Sequence, residues 1–171
     1  MPKKKQIHLE TTSKAVQSAA NAFEKYQSPV WQHSLLTDFD VSLFLLGKHF
    51  KLYEKMGAHL CTVNGVDGVY FAVWAPNAQK VYVMANFNGW NRESHLLFNR
   101  WDESGIWEGF IPDLPQGSSY KYHIHGYAGQ KLDKGDPYAN YWEVRPNTAS
   151  RTWQLDYEWK DEGWMEKRKE H

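Results

Sequence analysis

A chain of 171 residues with a formal net charge of +0 has room for one domain with extensions, and it offers no broad electrostatic attraction to nucleic acid or an anionic membrane. A single cysteine, Cys61, excludes an internal disulfide and suits a reducing compartment. No apolar run reaches the roughly eighteen residues of a membrane span and no signal-peptide core is visible, so a soluble cytoplasmic protein is expected.

Residues 1–35 read as a loose extension. Within it Val16, Ala19, Ala20 and Phe23 recur at helical spacing behind a possible Ser13 cap, which predicts a short amphipathic helix. The basic runs Lys3-Lys4-Lys5 and Lys167-Arg168-Lys169 are terminal and read as solvated tails. Residues 36–57 form a helical lead-in. Thr37 with Asp40 three residues on fits a capping box, Val41, Phe44 and Leu45 make one stripe, and Gly47 stops the helix. A second turn of helix is predicted through "KLYEKMG" to Gly57.

From about residue 58 the period changes to two. "VYFAVWAP" sets Phe71, Val73 and Ala75 against Tyr70, Ala72 and Trp74, and stops at Pro76. "KVYVMANF" places Val81, Val83, Ala85 and Phe87 on one face, then breaks into the turn-forming Asn88-Gly89. "GIWEGFIP" and "SYKYHIHG" follow, each bounded by turn residues. Such strands with no intervening helix predict antiparallel pairing, and the expected class is mainly β: an immunoglobulin-like antiparallel β-sandwich over 58–153, preceded by short helices. After residue 150 the pattern fades, and 154–171 read as a linker.

Catalytic chemistry finds no purchase. Asp102 with Glu103, and Asp133 with Asp136, read as solvated turn residues rather than paired catalytic carboxylates. His123 and His125 share a strand face but have no third ligand at recognisable spacing, so no metal and no cofactor are expected. Nucleophile elbows and glycine-rich phosphate loops are absent. The aromatic content is unusual, at 16% with nine Trp, ten Tyr and eight Phe. Most of these rings suit strand packing, but Trp90, directly after Asn88-Gly89, sits where turn chemistry asks for a small polar residue. It either folds onto a core or is displayed as a flat surface. On "YKYHIH", Tyr120, Tyr122 and Ile124 form the apolar face. Lys121, His123 and His125 oppose them as a row of donors for sugar hydroxyls, unless Lys121 is merely the solvent-side residue of an edge strand.

From Leu36 to about Ser150 the chain resembles the N-terminal module, carbohydrate-binding module family 48, of bacterial glycogen (1,4-α-glucan) branching enzymes. The segments that carry the likeness are "LTDFDVSLFLLGKHFKLYEKMGAHL", "GVYFAVWAPNAQKVYVMANFNGWN", "ESGIWEGFIPDLPQGSSYKYHI" and "KGDPYANYWEVRPNTAS". The resemblance implies an accessory module whose catalytic residues lie in a separate (β/α)8 barrel, absent from this chain, and whose partners are α-1,4-glucan or glycogen and that barrel. It implies that Trp90 stacks on glucose in the Asn-x-Trp turn, with Asn88, and that Lys121 bonds the sugar. Relatives carry a second Trp on the following hairpin; here the region reads "GYAGQK", with Tyr127 as the substitute. A structural module that docks on the barrel through Trp142, Trp153, Trp159 and Trp164 is the alternative.

Overall fold

The computed structural model describes residues 29–168. The helix expected over 13–23, Lys3-Lys4-Lys5 and Lys169 lie outside the described residues. Helix α1 (Asp38–Leu45) starts as its sequence predicts: Thr37 and Asp40 exchange side-chain-to-backbone hydrogen bonds in a capping box. Gly47, at φ +65°, turns the chain out of it. Val41 is buried and Phe44 packs edge-on against Trp74, but Leu45 is exposed and does not complete the expected stripe. A single 3-10 turn (Leu52–Glu54) replaces the second helix.

Among the described residues nine strands follow: β1 (Gly57–Val63), β2 (Val66–Trp74), β3 (Ala78–Ala85), β4 (Phe98–Asn99), β5 (Ile106–Pro112), β6 (Ser119–Gly126), β7 (Lys131–Lys134), β8 (Tyr141–Trp142) and β9 (Ser150–Arg151). They make two sheets, β1-β2-β5-β4 and β3-β6-β9-β8, with β7 paired to β6; every named pairing is antiparallel. The mainly β sandwich preceded by short helical elements is therefore present.

Between the sheets Phe71 and Val73 of β2 meet Val81 and Val83 of β3, Trp107 and Ile111 of β5, and Tyr120 and Tyr122 of β6. Strand β2 is buried on both faces. Its other face, Tyr70 and Ala72, joins Ile106 and Phe110 under Trp31, Leu36, Val41 and Met56. The lead-in thus roofs the outer face of the first sheet, which explains why "VYFAVWAP" carries apolar residues at consecutive positions. The roof continues the sheet by pairing Trp31 with Phe110 through two backbone hydrogen bonds.

Buried polar groups lock both layers. Tyr120 and Tyr122 donate to Asp136, which is 0% exposed and also accepts from the Tyr138 amide. Asp136 is therefore not the solvated turn residue expected from its neighbours. Burial pushes its carboxyl above the ordinary value, against those three hydrogen bonds. Asp102 is likewise paired, with Arg100 at 2.8 Å.

The connection between β3 and β4 carries the chain from one sheet to the other. After β3 the chain makes a corner, and residues 95–97 then return along the edge of the second sheet, through Val83 N–H to His95 O and Leu97 N–H to Val81 O. At Phe98–Asn99 it has crossed to the first sheet and pairs with β5. Trp90 and Trp101 stand at the two ends of this crossing.

Candidate functional site

Strand β3 ends at Ala85, two residues before the alternation of its sequence does. Residues Asn86–Asn88 close a 3-10 turn, so Phe87 leaves the inward face of the strand and sits over His95 instead. Asn88 causes this. Its Oδ1 accepts from the Ala85 amide at 2.9 Å, and its Nδ2 donates to Val83 O at 3.0 Å and reaches Ser94 and His95. These bonds tie the corner to the end of β3 and to the returning strand. Asn88 is therefore engaged with protein on both ends of its amide.

Two consecutive residues then take the left-handed conformation, Gly89 at φ +63° and Trp90 at φ +59°. Glycine adopts it freely; for tryptophan it costs of order 1–2 kcal/mol. The Trp90 amide donates to Ala85 O at 2.8 Å, which fixes this geometry. The indole is 36% exposed. It neither disappears into the core nor stands free, but forms one wall of an open cleft of about 660 Å³.

The rest of that cleft comes from Asn91, Arg92, Glu93, His123, Lys131 and Asp133. Register explains their convergence: β6 and β7 pair His123 with Asp133 and His125 with Lys131, so all four occupy one outer face of the second sheet. Asp133 holds the cleft together, accepting from His123 Nδ1 at 2.6 Å and from Arg92 Nη2 at 2.8 Å. The Arg92 bond, against burial and with help from His123, keeps its carboxyl below the usual range. Lys131 meets Glu93 at 3.3 Å. Two cations face two carboxylates, and the cleft is charge-balanced. Burial, with Lys131 and His123 nearby, pushes His125 down from its ordinary value.

The four residues expected to bind a sugar are only partly gathered. Trp90 lines the cleft, and Asn88 holds the loop that carries it. Lys121 lies on the same face of β6 as His123, two residues away, with Nζ on Thr148 Oγ1 at 2.7 Å. It is no edge residue: β6 runs between β3 on one side and β7 and β9 on the other. Tyr127, 71% exposed, stands in the β6–β7 turn and is not part of the cleft wall. His123, expected on a wet face, is 3% exposed beneath Asp133. Arg92 and Glu93 escaped sequence reasoning as ordinary polar residues of the corner after Trp90. Lys131 escaped it too, and Asp133 reads as a solvated turn residue, because the charged, four-residue β7 has no apolar alternation. The signal that would have found them is the Gly126–Gly129 turn, which folds "KLDK" back on "YHIH".

Among the described residues no group of three or more His, Cys, Asp or Glu could hold a metal ion, and no helix is long and apolar enough to cross a membrane.

Comparison with known proteins agrees with this architecture. Residues 55–139 match the family model described as carbohydrate-binding module 48 (isoamylase N-terminal domain). The 1,4-alpha-glucan branching enzyme GlgB of Thermosynechococcus vestitus is 50% identical over 145 residues, which cover 84% of this chain and 19% of that protein. The GlgB of Synechocystis sp. is 52% identical over 135 residues, 78% of this chain and 17% of its own length. The chain thus spans less than a fifth of these relatives. Among solved structures, ligand-free PulA from Klebsiella pneumoniae matches with a TM-score of 0.50 and 27% identity, covering 66% of this chain and 11% of that one. The maltotriose complex of its G680L mutant gives the same TM-score and identity over 66% of this chain and 12% of that one.

Proposed function

Residues 55–139 belong to carbohydrate-binding module family 48 and are homologous to part of the N-terminal region of bacterial 1,4-alpha-glucan branching enzymes; on that premise we propose that this chain is a non-catalytic module that holds α-1,4-glucan, glycogen included, for a branching enzyme. In this reading residues 58–153 are the binding sandwich, 154–171 lead toward the catalytic barrel, and the setting is cytoplasmic. The parent activity, joining cut α-1,4 chains as α-1,6 branches, belongs to that barrel.

The observation that carries the reading is Trp90, held half-exposed in a left-handed backbone at the wall of a charge-balanced cleft. A pyranose offers a C–H face that packs on an indole and a rim of neutral hydroxyls. Paired charges at the cleft supply donors and acceptors to those hydroxyls without favouring an ionic ligand. Lys121 shares the cleft's face of β6, and Tyr127 stands in the turn that follows. Stacking that hides about 100 Å² of apolar surface contributes about 2–3 kcal/mol. A millimolar dissociation constant needs about 4 kcal/mol beyond association costs, so one platform gives roughly millimolar affinity per site. On a polymer, repeated weak engagement still concentrates chains near the enzyme.

Electrophoresis through gels containing glycogen tests this. Retardation of the wild-type chain that Trp90→Ala strongly reduces, with unchanged mobility in plain gels, is the expected result; equal retardation of both proteins would sink the assignment of Trp90.

A second reading is favoured by the late aromatic residues. Trp142, Trp159 and Trp164 are exposed, while Trp153 is half-buried against Tyr141, 5.1 Å between ring centroids. Such a surface suits docking on a barrel. On that account the isolated chain self-associates at high concentration, and a clean monomer in the ultracentrifuge counts against it.

A further inference from the structure

At the other end of the crossing segment the first sheet carries a second cleft, of about 340 Å³, whose wall includes His33, Asn99, Arg100, Trp101 and Glu108. Trp101 is 80% exposed on its rim, in the turn between β4 and β5. The cleft floor is a fixed polar network. Arg100 Nη1 donates to Glu108 Oε1 at 2.7 Å and to Ser34 Oγ at 2.6 Å, and Arg100 Nε donates to Asp102 at 2.8 Å. Tyr70 and Ser34 both donate to Glu108 Oε2. The side chains of Arg100 and Glu108 are less than a tenth exposed, so the floor is held rigidly.

The geometry points to a second α-glucan subsite here, on the sheet opposite the one that carries Trp90. Three features select a neutral polyhydroxyl ligand. An indole this exposed, next to a cleft, offers a platform for a C–H face. One cation among two carboxylates gives a floor that repels a phosphate or carboxylate ligand, and both carboxylates are already engaged by Arg100, which removes the attraction for a cation. Arg100 has five N–H donors, of which three are used; among the described residues Nη2 has no protein partner, and Arg100 lines the cleft. A cleft of this size falls at the lower end of the roughly 300–1,000 Å³ typical of small-ligand sites. It fits a short stretch of chain rather than a folded partner.

This inference rests on glucan being the ligand of the module, but not on Trp90 being where it binds. Residues 90 and 101 are separated by a span of at most about 40 Å even if the chain between them were fully extended. One branched polymer can therefore engage both faces of a single module, and loss of either subsite reduces avidity on glycogen by about tenfold or more.

Titration of the 15N-labelled chain with maltoheptaose, following the indole N–H signals of wild type, Trp90→Ala and Trp101→Ala, separates the two sites. We expect the Trp101 signal to shift saturably in wild type and to shift equally in Trp90→Ala, while Trp101→Ala retains the Trp90 response. Trp101 is too exposed for its removal to unfold the sheet, and the dispersed spectrum of each variant verifies this. A Trp101 signal that stays fixed at about 50 mM sugar, far above a millimolar dissociation constant, overturns the second subsite. So does a Trp101 shift that vanishes in Trp90→Ala, because it is then relayed. A shift at Trp101 with none at Trp90 upholds this subsite and removes the Trp90 reading instead.

Discussion

At Trp90 the charged groups lie outside, paired across a cleft on the second sheet, Arg92 with Asp133 and Lys131 with Glu93. At Trp101 they lie inside, Arg100 with Glu108 beneath the 30–36 segment, while the indole stands out in solvent. Both corners set an aromatic ring beside ionic pairs, yet the pairs serve differently. Exposed pairs are screened by water and salt, shape a surface and hold the fold only weakly. A buried pair has been stripped of water, and its partners depend on each other for compensation. Substitutions at the two corners should therefore separate stability from binding.

The largest effect is expected inside. Glu108→Ala leaves Arg100, Ser34 and the Tyr70 hydroxyl without their shared acceptor and should cost about 3–5 kcal/mol, read as a lowered denaturant midpoint. It should also free residues 30–36, seen as faster amide exchange at Trp31. Asp136→Ala comes next, since two buried tyrosine hydroxyls lose their acceptor. At about 1–3 kcal/mol for each unsatisfied group, the cost is offset in part because a buried carboxylate is removed. A midpoint equal to wild type would show that the two hydroxyls find other partners.

Smaller effects are expected at the lead-in and at the open cleft. Asp40 is held down to about 2, burial being overcome by the Thr37 hydroxyl and amide and by His49. Its folded value lies below the unfolded value of about 3.9. The stability it adds is therefore complete above about pH 4 and disappears as pH falls through the folded value. Thr37→Ala, costing about 1 kcal/mol near neutrality, should lie closer to wild type in acid, where Asp40 no longer accepts from the Thr37 hydroxyl. A residual gap remains from the lost bond between Asp40 N–H and Thr37 Oγ1, as thermal melts across that range would show. A gap that widens in acid would reverse the sign. Arg92→Ala should have the least effect on stability, with an unfolding curve close to wild type at moderate salt, and should weaken glucan binding by loosening Asp133.

Much of the sandwich is legible in its sequence because strict alternation and turn residues act locally. Val81, Val83, Tyr120 and Tyr122 point inward as their spacing demands, and Thr37 caps its helix. What stayed hidden depends on pairing between distant segments. The isolated stretch around Asp136 looks like a wet turn; only the closing of β9 against β6 seals it beneath two tyrosines. Phe87 continues an alternation that Asn88 interrupts by bonding back to Val83 and Ala85. Trp90 is visible as an anomaly in its turn. Its neighbours His123, Lys131 and Asp133 become a cleft only when the β6–β7 register is known.

Whether Trp90 is displayed for an α-glucan is decided by calorimetric titration of maltoheptaose into the wild-type chain and into Trp90→Ala, with melting curves confirming that both are folded. Saturable binding near the millimolar range is predicted, with the component at the Trp90 cleft weakened more than tenfold by the substitution. Undiminished binding by folded Trp90→Ala, or none by folded wild type, would contradict that role.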